Sequence, residues 1–92
     1  MITVEIPAAL QQYAAARATV RLDRSGRTVR EALAALAGEH PGVVDRVLTE
    51  QGEIREHINV FIDAENIRFQ EGLATLVPDG STLVILAAVS GG

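Results

Sequence analysis

A chain of 92 residues, 48% hydrophobic and 22% charged, is long enough for one domain around a single core, with stability of about 5–10 kcal/mol. Its net charge of −4, with two phenylalanines, one tyrosine and no tryptophan, excludes the basic, aromatic-studded surface that grips nucleic acid. No cysteine is present, which removes disulfides, thiolate catalysis and thiolate metal sites together.

Ile2, Val4 and Ile6 alternate with Thr3 and Glu5, the period of a half-buried strand, and Pro7 ends it. Residues 8–17 are rich in alanine, with Leu10 and Tyr13 spaced as one helical turn. Ala18, Val20 and Leu22 alternate with Thr19, Arg21 and Asp23 in a second strand, and Ser25-Gly26 reads as a turn. Thr28-Val29-Arg30-Glu31 is a capping box, in which threonine and glutamate each satisfy an orphan N–H of the other. Val29, Ala32, Leu33, Leu36 and Ala37 then fall on one stripe of an amphipathic helix. The stretch from Gly38 to Gly42, with Pro41, is expected to stop it.

Val43, Val44, Val47 and Leu48 fit a short helical turn over the core, followed by a polar connection through Gly52. Ile58, Val60 and Ile62 alternate with Asn59, Phe61 and Asp63 in a third strand. Asp63-Ala64-Glu65-Asn66 is expected to turn, and Ile67-Arg68-Phe69 to return as a short strand. Val77-Pro78-Asp79-Gly80 reads as a β-turn with proline second and glycine fourth, and the last strand runs from Thr82 to about Val89. A strand hairpin, a helix across one face and further strands, with the first and last strands parallel at the centre, make an α+β domain of the β-grasp, ubiquitin-like type. Its mixed sheet is expected to hold about five strands.

Side chains alternate faces along a strand, so Leu83 and Ile85 in the core put Val84 and Leu86 outside. Ile58, Val60 and Ile62 inside likewise put Phe61 outside. Phe61, Val84 and Leu86 are the candidate docking patch on the uncovered face. The alternative is that residues 43–56 fold over this face and bury it. His40 and His57 lack metal-ligand spacing, and Thr49, Ser25, Ser81 and Ser90 lack any base arrangement, so no catalytic or metal site is expected. The longest apolar run, Leu83 to Val89, is too short for a bilayer span, and Met1–Glu5 has no basic leader, so a cytoplasmic protein is expected.

That apolar run leads into Ser90-Gly91-Gly92. Glycine has no side chain and little φ preference, so Gly91 and Gly92 are expected to be a flexible tail on a domain of residues 1–90, able to thread a narrow channel. From Ala88 to Gly92 an extended chain reaches about 17 Å. The plain alternative is a frayed terminus.

Arg68–Thr75, Asp79-Gly80 and Val84–Gly92 resemble the corresponding parts of the ubiquitin-like sulfur carriers of the MoaD/ThiS family. That group includes the small subunit of molybdopterin synthase, the thiamin-thiazole carrier and the carrier of a thiocarboxylate-dependent cysteine pathway. The resemblance covers essentially the whole chain and is most specific from Ile58 onward. Through Asn59-Val60-Phe61-Ile62, Ile67-Arg68-Phe69, Gly72-Leu73-Ala74-Thr75 and the C-terminal run it is similar above all to the cysteine-pathway carrier, with Ala87 where that group commonly has proline.

The resemblance implies that an E1-like adenylating enzyme activates the Gly92 carboxylate, using ATP and magnesium that the chain itself does not bind. Persulfide sulfur then displaces AMP to leave a thiocarboxylate, and a sulfur-accepting synthase of the cysteine synthase type takes the sulfide. The chain is then a protein co-substrate and not an enzyme, with no nucleic-acid or membrane partner. Three alternatives stay open: the small subunit of molybdopterin synthase paired with its large subunit, a modifier joined to lysines, and an interaction module with an idle tail.

Overall fold

The computed structural model describes residues 1–23 and 27–88. The Ser25-Gly26 turn, the end of the last strand at Val89 and the Gly91-Gly92 tail lie outside the described residues.

β1 (Ile2–Glu5) and β2 (Thr19–Leu22) pair antiparallel with Val4 opposite Val20. The alanine-rich link between them is a 3-10 helix, Ala8–Ala14, that buries Leu10 and Ala14. Ala15 and Ala16 follow with φ of 53° and 63°, a left-handed pair that alanine adopts only under local strain. β3 (Arg27–Thr28) leads into α1 (Val29–Glu39), whose Val29, Ala32, Leu33 and Leu36 are all 0% exposed. The capping box is complete: the Glu31 N–H donates to Thr28 Oγ1 at 3.2 Å, and the Thr28 N–H donates to Glu31 Oε1 at 3.1 Å.

α1 stops within Gly38 to Gly42, as expected. α1 continues through Gly38 to Glu39, and Pro41 opens α2 (Pro41–Val47) in its first turn, where a missing N–H is no loss. α2 sends Val43, Val44 and Val47 into the core. At Gly42 a side chain would meet the Tyr13 Cβ at 3.2 Å, so bare backbone lets α2 lie against the Ala8–Ala14 helix. Arg46 seals the same junction, its guanidinium 3.6 Å from the Tyr13 ring centre.

β4 (Ile58–Ile62) turns at Asp63-Ala64 into β5 (Glu65–Asn66), and Ile67–Phe69 is a 3-10 helix where a strand was expected. The cause is Asn66, whose side-chain oxygen accepts the Arg68 N–H at 2.9 Å and bends the backbone into a helical turn before a strand can continue. β6 (Leu76–Val77) pairs with β3 in a two-stranded ribbon that the sequence pattern did not indicate. The next turn lies one residue later than its sequence suggests: the Ser81 N–H donates to the Pro78 carbonyl, which puts Gly80 third in the turn with φ of 86°.

β7 (Thr82–Ala87) completes a five-stranded sheet of order β2-β1-β7-β4-β5, parallel to β1 and antiparallel to β4. This is the β-grasp arrangement, with both helices on one face and the first and last strands paired at the centre.

Candidate docking surface

On β7, Leu83 and Ile85 point into the core at 0% and 1% exposure, while Leu86 is 46% exposed on the opposite face. Val84 lies on that outer face too, half-buried, with Phe61 directly across from it on β4. Leu86 stands opposite Asn59. One row across the sheet therefore reads Thr19, Glu5, Val84, Phe61 and Asn66, with Leu86 and Asn59 in the next row toward the end of β7.

The structure thus brings Phe61, Val84 and Leu86 onto one face at the centre of the sheet. Residues 43–56 do not cover them, because Val43, Val44 and Val47 belong to the core on the other side. Polar neighbours frame the apolar centre: Asn66 Nδ2 donates to Asn59 Oδ1 at 3.3 Å beside Phe61, and Glu5 borders Val84 on β1. Gly91 and Gly92, the remaining candidates, follow β7 outside the described residues.

Two exposed apolar side chains escaped the sequence reading. Phe69 is 80% exposed and Leu76 is 65% exposed. Alternation carries no information in elements of two or three residues, so no sequence signal marked them. Among the described residues no group of three His, Cys, Asp or Glu side chains comes together to hold a metal ion. No helix among them is long and apolar enough to cross a membrane.

A β-grasp body with an apolar outer face beside its last strand is the build of a ubiquitin-like carrier or modifier. The ThiS family model matches residues 4–92, nearly the whole chain and through the final glycine pair. The chain belongs to this family, the ThiS/MoaD group of ubiquitin-like sulfur carriers. It is similar to the sulfur carrier protein CysO of Mycobacterium tuberculosis, 31% identical over 93 residues that cover 99% of this chain and 98% of the relative. The small archaeal modifier protein 1 of Haloferax volcanii is 41% identical over 75 residues, covering 80% of this chain and 82% of that one. Among solved structures, a chain of the Amycolatopsis orientalis BexX/CysO complex superposes with a TM-score of 0.90 at 35% identity, over 100% of both chains.

Proposed function

We propose that this protein is a sulfur carrier whose Gly92 carboxylate is adenylated and then converted to a thiocarboxylate that donates sulfide, in cysteine biosynthesis. The observation that carries the reading is the family match running through Gly91 and Gly92, a few residues after a strand with Val84 and Leu86 on its outer face. Full-length similarity to a sulfur carrier named for that role supports the cysteine assignment.

The chemistry follows from the weakness of a carboxylate as an acyl donor. A Gly92 carboxylate oxygen attacks the α-phosphorus of ATP and pyrophosphate leaves, magnesium balancing the phosphate charge on the adenylating partner. The terminal sulfur of a persulfide then attacks the acyl carbon and AMP leaves. A thiol cleaves the resulting acyl disulfide, departing as a disulfide and freeing the thiocarboxylate. The partner supplies charge stabilisation and excludes water. This chain supplies an unhindered end and a surface, Phe61, Val84 and Leu86, that docks on the E1-like enzyme and on the sulfur-accepting synthase. The Amycolatopsis CysO was solved in complex with BexX, which supports action through a protein partner.

The test is ATP–pyrophosphate exchange with the cognate adenylating enzyme. Removing Gly92 moves the carboxylate by about 3.4 Å and abolishes exchange with the fold intact, since misplacement by ~1 Å already lowers such a rate on the order of a hundredfold. Near-native exchange by a chain ending at Gly91 overturns the reading. Identity of 41% to a small archaeal modifier favours a second reading, an isopeptide bond from Gly92 to target lysines. Intact-mass and conjugate analysis from the native cell separates the two: oxygen replaced by sulfur on the free protein, or this chain attached to lysine.

A further inference from the structure

The sheet has an edge that the carrier reading does not use. The Ile6 N–H donates to the Ala18 carbonyl at 2.8 Å. In an antiparallel ladder hydrogen-bonded pairs alternate with open ones, so Val4–Val20 and Ile2–Leu22 are bonded pairs as well. Thr19 and Arg21 fall between them. Their N–H and C=O groups point away from β1, and among the described residues no strand pairs with β2 on that side.

Beside this edge lies a groove of about 660 Å³ between β2 and the C-terminal end of α1. Its two cations, Arg17 and Arg21, stand against the single carboxylate of Glu39, and His40 borders it between the two helices. Among the described residues neither arginine is within ion-pair distance of a carboxylate. In a chain of net charge −4, a groove with this balance is a local reversal of sign. The left-handed pair Ala15–Ala16 turns the chain so that Arg17 stands at the start of the edge. Arg21 lies on the outer face of β2, while Val20 and Leu22 are buried on the inner one.

We propose that the free edge of β2 accepts an extended, acidic segment of a partner protein as a sixth strand. Thr19 and Arg21 supply the backbone pairing, and Arg17 and Arg21 select acidic residues at alternate positions of the incoming strand. The positions between them face the Val20 side and are apolar. A second copy of this chain is the wrong occupant, because edge-to-edge pairing sets the arginines of one copy against those of the other. β2 lies two strands from β7, about 10 Å, so a segment held here leaves Phe61, Val84, Leu86 and the exit of β7 uncovered. The edge is a second point of attachment, usable whether the chain acts as a carrier or as a modifier.

The test is a nuclear magnetic resonance titration of the nitrogen-15-labelled full chain with a short blocked peptide that alternates glutamate with valine. The expected result is amide shifts centred on Thr19, Val20, Arg21 and His40, with affinity falling as salt is raised. A lysine-for-glutamate peptide binds at least ~10-fold more weakly, and so does the R17E/R21E chain toward the original peptide. Methylating the peptide's edge-facing amides abolishes binding and leaves the protein itself untouched, so a folding defect in the variant does not blur the outcome. Equal binding of the methylated peptide, shifts centred on Phe61, Val84 and Leu86, or no shift at β2 each overturns the proposal. Self-association through β2 without peptide overturns it in favour of a second copy.

Discussion

The two faces of β7 are built from neighbouring residues and meet different surroundings. Leu83 and Ile85 vanish into the core, whereas Leu86, one position on, keeps 46% of its surface in water. Fully burying such a side chain contributes about 1.5–3 kcal/mol, and the inner face collects that contribution at every step from β2 to β4. The outer face leaves it uncollected until something covers Phe61, Val84 and Leu86. On the proposed docking role, one strand divides stability from recognition by the direction in which each side chain points, and the two should be separable by mutation.

The division breaks most visibly on the inner side. Leu36→Ala or Leu33→Ala should lower stability by about 2–4 kcal/mol, from lost transfer energy and the cavity left behind, as read from urea denaturation midpoints. A loss below ~0.5 kcal/mol would remove the helix-on-sheet core from this account. On the outer side, Leu86→Asp should leave stability within about 0.5 kcal/mol and weaken the adenylating partner at least tenfold, ~1.4 kcal/mol, by calorimetric titration. An unfolded variant would mean that both faces of β7 support the fold.

Smaller effects sharpen the boundary at the start of α1. Thr28→Ala should cost about 1 kcal/mol of stability while leaving partner binding unchanged, since the cap acts only on the inner layer. The pH dependence of the same cap has a definite sign. The Thr28 N–H, then the Arg27 guanidinium at 3.0 Å and the Thr28 hydroxyl, hold Glu31 below the ordinary glutamate value of 4.5. A carboxylate with a depressed folded pKa adds stability above the unfolded value and loses it as pH falls through the folded one. Thermal melts should therefore show Glu31→Gln closing on the native chain as pH drops below 4.5; a gap that stays constant would assign the cap no charge component.

What was legible in the sequence was whatever repeats. Alternation at Ile2, Val4 and Ile6 and from Ile58 to Ile62 marked the long strands, and the same parity placed Leu86 on the outer face. The capping box at Thr28 and Glu31 named the helix start because both partners are local. The misreadings fall where a single contact outranks the pattern. Asn66 turned Ile67–Phe69 into a 3-10 helix. The β3–β6 ribbon, two residues on each side, is too short to carry a period. The open edge of β2 is a property of pairing, which no stretch of sequence contains by itself.

Among the described residues β7 is also the strand that joins β1 to β4. Without it the sheet is two separate hairpins, each with an apolar face and neither able to bury it against the other. As the chain is synthesised, both must wait for Thr82–Ala87 before the sheet closes, a contact between distant parts of the sequence and therefore a late one. The residues that complete the body are the same ones that lead out to Gly91 and Gly92. A chain interrupted before them leaves the two hairpins unjoined, so closure of the sheet depends on the segment that immediately precedes the proposed site of chemistry.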